Sequence, residues 1–218
     1  MDLDEYQRLF DWYVEHCDLP LGSAPAFPLF EALGSEVLLT APHAVRTLSP
    51  SGSSKLADAA TGPLARALSA ASGASCLVAH SPWPGNANAD PLERCAFKQR
   101  MVELLSKRPS TVLDLHGMLD SHGCDVCIGT HKDGPSALAD QATELLAAQG
   151  FVVRRNDPFG ARSPSTVTAT ALGAGAAAIQ LEIAARWRNP VQRPDEAGAM
   201  YRALLELVSD LATAASLT

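Results

Sequence analysis

The sequence lacks several features that would each have settled its class. No apolar stretch approaches the roughly 20 residues a membrane-spanning helix requires, so no such helix is expected. Lys and Arg, 17 against 24 Asp and Glu for a net charge of -7, form no cluster, and a surface that tracks a nucleic-acid backbone needs concentrated positive charge. There is no Gly-x-Gly-x-x-Gly turn and no phosphate-cradling lysine motif, which argues against nucleotide cofactors. Ser163 and Ser165 stand outside any Gly-x-Ser-x-Gly elbow, which disfavours a serine nucleophile. The acidic start Met1-Asp2-Leu3-Asp4-Glu5 lacks the basic-then-apolar order of a secretion signal. Five cysteines make an odd number, and Cys124-x-x-Cys127 has no second Cys pair to complete a zinc framework, so all five read as reduced thiols. Both features suit a cytoplasmic chain acting on a small molecule or short peptide.

What is present is a core-forming chain. At 218 residues and 47% hydrophobic, one domain spanning 1–218 is expected. Leu3, Tyr6, Leu9, Phe10 and Tyr13 recur at helical spacing, and a connector with Pro20, Pro25 and Pro28 follows. The chain then alternates: strand 37–40, helix 55–72, strand 75–79, a Pro/Gly/Asn loop, helix 92–107, strand 111–115, strand 124–129, helix 135–149, strand 151–154, a polar segment 156–170, strand 176–183 and helix 194–213. Short apolar strands alternating with helices predict an α/β fold, a three-layer α/β/α sandwich. The strand pair 111–115 and 124–129, with no helix between, predicts a mixed sheet. The C-terminal helix could pack on its own sheet or on a second subunit, which leaves an oligomer open.

Three apolar strands deliver polar side chains near their ends. Val112 to Leu115 runs into His116-Gly117, Val37 to Thr40 into Ala41-Pro42-His43, and Ala176 to Leu181 into Glu182. In open α/β sheets chemistry collects at the carboxyl ends of strands, so the three ends predict one site. A catalytic zinc usually takes three ligands from His, Asp and Glu. His43 and His116 supply two nitrogens, and Asp58, placed beside the expected first turn of the next helix, supplies a carboxylate suited to that helix end. Asp114, two residues before His116, points to the same face of the strand and could orient the imidazole from behind. Glu182, a lone carboxylate late in an apolar strand, is the candidate general base. Arg46, Arg162, Arg186 and Arg188 are among those that could grip a substrate carboxylate by a forked contact. Singly each residue has a structural reading: a loop histidine, a helix N-terminal charge, or a Glu182–Arg186 pair four residues apart. Together they favour a metal site.

The set Ala41-Pro42-His43, Lys55-Leu56-Ala57-Asp58, Thr61-Gly62, Asn86-Ala87-Asn88-Ala89-Asp90, Asp114-Leu115-His116-Gly117, Ile128-Gly129-Thr130 and Gln180-Leu181-Glu182-Ile183 resembles the N-formylglutamate amidohydrolase family. The resemblance implies a phosphorylase/hydrolase-like fold, zinc held at His43, Asp58 and His116, Glu182 as general base, and substrate contact by Asn88. It implies a zinc-dependent amidohydrolase acting on the N-formyl or N-acyl amide of a small carboxylate-bearing substrate such as N-formylglutamate. The alternatives are a zinc carboxypeptidase, a deacylase of larger N-acyl amino acids, and a catalytically silent binding domain on the same fold.

Overall fold

The apolar runs pair into one sheet whose strand ends converge. A computed structural model describes residues 3–20, 29–48, 51–83, 85–134 and 136–215; positions 21–28 of the Pro-rich connector lie outside them. The helices are α1 (Leu3–His16), α2 (Thr61–Ser72), α3 (Ala96–Leu105), α4 (Ala137–Ala148), α5 (Val167–Gly173) and α6 (Pro194–Ala215). The strands are β1 (Leu29–Ala32), β2 (Val37–Ala41), β3 (Thr47–Leu48), β4 (Ser54–Lys55), β5 (Ser75–Ala79), β6 (Thr111–Met118), β7 (Val126–Gly129), β8 (Val153–Arg155) and β9 (Ala177–Ala184). Seven of these strands form the central sheet in the order β1-β5-β2-β6-β9-β7-β8, while β3 and β4 make a separate two-stranded ribbon.

The sheet is mixed. The inner strands β5, β2, β6 and β9 run parallel, whereas β1 on β5 and β7 on β9 are antiparallel. The source of the mixing differs from the sequence expectation. β6 and β7 are not neighbours; β9, which comes much later in the chain, inserts between them. Buried on both faces, β2 and β5 carry uninterrupted buried residues, as central parallel strands do.

Helices α1, α2, α4 and α6 cover one face of the sheet, and α3 and α5 the other. α1 buries Tyr6, Leu9, Phe10 and Tyr13, the i, i+3, i+4, i+7 stripe of an amphipathic helix, and packs on α2. α6 buries Met200, Tyr201, Leu204, Leu207 and Val208 against α2, α4 and β2 of its own chain. A stacked pair, Tyr6 and Tyr201, joins α1 to α6.

Three elements depart from the sequence expectation. The helix expected from 55 begins at Thr61, because Ser54-Lys55 pairs with Thr47-Leu48 instead. Asp58 therefore precedes the helix rather than lying beside its first turn. α5 forms within the polar segment, where Thr166 caps it by accepting from Ala169 N at 3.1 Å. β1, antiparallel on β5, adds an edge strand.

Candidate metal centre

The parallel strands bring their carboxyl ends to one edge of the sheet, and the register aligns what they carry. His116 on β6 lies opposite Glu182 on β9, and Asp114 lies between Thr40 on β2 and Gln180 on β9. His43 follows β2 directly. Asp58 reaches the same edge from the loop before α2, where its backbone N donates to His43 O at 2.8 Å. Thr61, through N and Oγ1, donates back to Asp58 O at 3.2 and 2.8 Å. Ala60, in this tight passage, adopts φ 69°, a left-handed conformation that a non-glycine residue keeps only when its surroundings fix it.

His43, Asp58 and His116 each present one ligand atom, all within 4.8 Å of one another. Asp58 Oδ2 is 3.6 Å from His43 Nδ1 and 3.2 Å from His116 Nδ1. The far nitrogens are both engaged. His43 Nε2 is 3.0 Å from Asn86 Oδ1, and His116 Nε2 is 3.0 Å from Asp114 Oδ2. The Asn86 amide is fixed in that orientation: its Nδ2 donates to Leu48 O at 2.6 Å, and its Oδ1 also accepts from Asn88 N at 2.9 Å. Asp114, fully buried, accepts from Thr40 Oγ1 at 2.7 Å through its other oxygen.

These partners set the tautomers. An amide oxygen and a carboxylate oxygen both accept, so each Nε2 carries a proton. Bonds from His116 and His43 outweigh burial and hold the Asp58 carboxyl well below its usual range, so it too only accepts. That buried carboxylate is offset by positive charge around it. Lys55 supplies part of it, with Nζ donating to His43 Nδ1 at 2.9 Å and lying 3.4 Å from Asp58 Oδ1. His116 supplies the rest: burial pulls its pKa down, but the charge and bond of Asp114, with the bond of Asp58, carry it up to about 10. Burial keeps His43 below the ordinary imidazole value. Two imidazole nitrogens and one carboxylate oxygen, oriented from behind by an amide and a carboxylate, could hold a metal ion.

Glu182 stands beside this cluster, 8% exposed. Its Oε1 accepts from Gln180 Nε2 at 2.8 Å. Burial pushes its pKa up to about 7 against the opposing pull of His116.

Each arginine expected at substrate has protein partners among the described residues. Arg162 forks onto Asp133 at 2.8 and 3.0 Å. Arg186 pairs with Asp125 rather than with Glu182. Arg46 donates to Asp18 O at 3.0 Å and Ser54 Oγ at 2.8 Å. Arg188 is buried and bonded to backbone carbonyls. Among the described residues, Lys55 is instead the cation in contact with the cluster. Asn88 does reach the site, with Nδ2 3.4 Å from His116 Nε2, while its Oδ1 accepts from Val167 N at 2.9 Å. An amide N–H facing an imidazole N–H makes no hydrogen bond, so Asn88 does not compete with Asp114 for the ring.

Sequence reasoning gave no role to Asn86, Thr40, Gln180 or Lys55. Alternation was the available signal for Gln180, which precedes Glu182 by two on one strand face. Thr40 and Asn86 needed the register and the loop path.

Comparison with known proteins agrees with this architecture. A family model for N-formylglutamate amidohydrolase matches residues 96–187, a span that contains Asp114, His116 and Glu182 and stops short of His43 and Asp58. No curated protein matches the sequence. Among solved structures, N-formylglutamate amidohydrolase from Ralstonia eutropha JMP134 superposes with a TM-score of 0.59 at 15% identity, over 85% of this chain and 97% of that one. A bacteriophage poly-gamma-glutamate hydrolase gives 0.63 at 15% identity, over 92% and 94%, and a zinc-free apo form of YNDL gives 0.56 at 16%, over 86% and 92%. The chain resembles N-formylglutamate amidohydrolase in sequence across residues 96–187, a hydrolase resemblance, and shares the fold of these solved structures across most of its length.

Proposed function

We propose that this chain is a single-domain, zinc-dependent amidohydrolase that cleaves an N-formyl or N-acyl amide of a small carboxylate-bearing substrate, N-formylglutamate being the leading candidate. His43, Asp58 and His116 hold the metal, and Glu182 is the general base. The observation that carries the reading is the pair of imidazoles tied back through Nε2 to Asn86 and Asp114, with both Nδ1 atoms turned to Asp58 Oδ2. Five buried free cysteines accord with a reducing, cytoplasmic setting.

Bound there, zinc supplies Lewis acidity that polarises a carbonyl and acidifies water to near neutrality. Glu182 moves the protons. Gln180 occupies its Oε1, which leaves Oε2 to accept a proton from the attacking water and return it to the leaving nitrogen. The buried strand ends keep the carboxylate out of bulk water. Asp114 keeps His116 in one tautomer and one rotamer, with Thr40 holding Asp114 in turn.

Elemental analysis of protein purified without chelators tests the reading, wild type beside His116→Ala. About one zinc per chain, lost in the variant, is expected. A folded wild-type chain that takes up no metal on reconstitution would overturn the mechanism and favour a silent binding domain. With metal present, a panel of N-formyl, N-acetyl and longer N-acyl amino acids and short peptides separates formylglutamate hydrolysis from deacylase and carboxypeptidase action.

A further inference from the structure

Arg188 is buried, 6% exposed, and none of its described hydrogen bonds goes to a carboxylate. Its guanidinium donates from Nε to Ile183 O at 2.9 Å, from Nη1 to Ala59 O, and from Nη2 to Met118 O at 3.3 Å. A planar fork suits such divergent carbonyls in a way an ammonium does not. The three carbonyls are not arbitrary. Ile183 follows Glu182, Ala59 follows Asp58, and Met118 lies two residues after His116.

The residue directly after His116 is fixed as well. A Cβ added at Gly117 would lie 2.5 Å from the Arg188 guanidinium carbon, so the guanidinium lies flat on backbone that only glycine exposes. Its grip on Ala59 O also holds the peptide leading into Ala60, the residue with φ 69°. Arg188 is itself anchored, its carbonyl accepting from Tyr6 Oη at 2.9 Å. Burial pulls its pKa down while Asp58 and Glu182 pull it back up, as expected of a cation set just behind the site.

We infer that Arg188 is the positioning residue of this site: one guanidinium, by gripping backbone next to Asp58, His116 and Glu182, sets the spacing of two metal ligands and the general base. The inference rests on the proposed metal centre. It replaces the substrate-gripping role that sequence alone allowed for this arginine, because all its described donors point to backbone.

The test is zinc affinity, by competition with a chromogenic chelator, together with the thermal midpoint of the metal-free protein, for the full chain and three variants. Arg188→Lys keeps the charge but cannot span three carbonyls; zinc affinity is expected to fall about 10–100-fold, the range typical of residues that orient metal ligands. Arg188→Met removes a positive charge beside a cation site. It would tighten zinc binding if the residue acted by charge alone, and weaken it if the residue acts by position. Gly117→Ala displaces the guanidinium while leaving it in the chain, and is expected to weaken zinc binding in the same direction; it carries the test if the Arg188 variants do not fold. Folded variants that bind zinc as tightly as wild type, losing only thermal stability, would overturn the inference, as would tighter binding by Arg188→Met. Wild-type protein that binds no zinc would instead overturn the metal centre, and this inference with it.

Discussion

Two regions of the chain meet at the site and are built differently. His116, Asp114 and Glu182 stand on β6 and β9, adjacent strands in parallel register along their whole length, within the segment that the family model matches. His43 and Asp58 stand on the segments after β2 and before α2, Lys55 on the short strand β4, and Asn86 on the loop after β5, held by local bonds such as Asp58 N to His43 O and Asn86 Nδ2 to Leu48 O. Strand residues are placed by a ladder of backbone bonds, and a one-residue slip would turn every side chain to the other face. Loop residues are placed by a few local contacts, so their spacing can drift while the geometry at the ligand atoms is kept. The family model covers the first region and not the second, although both bring candidate ligand atoms to one cluster.

Substitutions in the strand region are expected to have the largest effects. Glu182→Gln preserves shape and the bond from Gln180 but removes the proton acceptor. The expected outcome is a kcat about 10²–10⁴ lower with metal content unchanged, read by steady-state kinetics beside elemental analysis. A fully active Glu182→Gln protein would remove Glu182 from the mechanism and leave the strand region a purely ligating role.

The next contrast sets one orienting group from each region side by side. Asp114→Ala frees His116 Nε2 and deprives Thr40 of its partner in a fully buried position; Asn86→Ala frees His43 Nε2, also buried but held from a loop. Both are expected to weaken zinc binding, by about 10–100-fold, with Asp114→Ala the more severe because it also removes a carboxylate charge two residues from a ligand. Equal losses would show that loop and strand hold their histidines with the same rigidity. Lys55→Met sharpens the loop side. Its ammonium contacts two of the candidate ligand residues, His43 through Nδ1 and Asp58 through Oδ1, and a cation entering there must displace it. Removing that competing charge is expected to tighten zinc binding by about fivefold, the equivalent of about 1 kcal/mol at this separation in a solvent-screened setting, and to lower the thermal midpoint of metal-free protein. Weaker binding in Lys55→Met would mean that Lys55 supports the metal rather than standing in for it.

The same contrast explains what was legible in the sequence. Strands β2, β5, β6 and β9 were readable because central parallel strands are continuous apolar runs, and a polar residue ending such a run is conspicuous; His116 and Glu182 stood out on that ground. α5 was not readable, since Thr166 to Thr170 has the composition of a loop and becomes helical through its cap and its packing on β6 and β9. The start of α2 was misplaced because Lys55-Leu56-Ala57 has helical propensity, which its pairing with β3 overrides. The insertion of β9 between β6 and β7 is a pairing distant in sequence, invisible to local pattern. The partners of the arginines were hidden for a related reason. Asp133, Asp125 and Asp18 recruit Arg162, Arg186 and Arg46, and such partnerships depend on the folded path rather than on spacing.

The smallest expected effect on zinc affinity lies just outside the site, where β7 begins. Asp125, 4% exposed, accepts from Val152 N at 2.8 Å, from Trp187 Nε1 at 2.6 Å and from Arg186. Burial pushes its pKa up, but these bonds outweigh it and hold the carboxyl below the usual range. A folded-state pKa below the unfolded value stabilises the protein above the unfolded pKa, near 4, and that contribution is lost as pH falls through the lower, folded value. Asp125→Ala leaves the indole N–H and the Val152 N–H without their acceptor. The expected cost at neutral pH is about 2 kcal/mol, or roughly 4–8 °C in Tm for a chain of this length. Melting curves taken from pH 7 down to pH 3 should converge for the two proteins at the acid end, with zinc affinity at pH 7 little changed. A gap that persists undiminished into acid would assign the loss to packing rather than to the carboxylate. A large drop in zinc affinity would instead show that the ladder of β7 and β9 transmits strain to Glu182 and His116, making the strand region less rigid than its register implies.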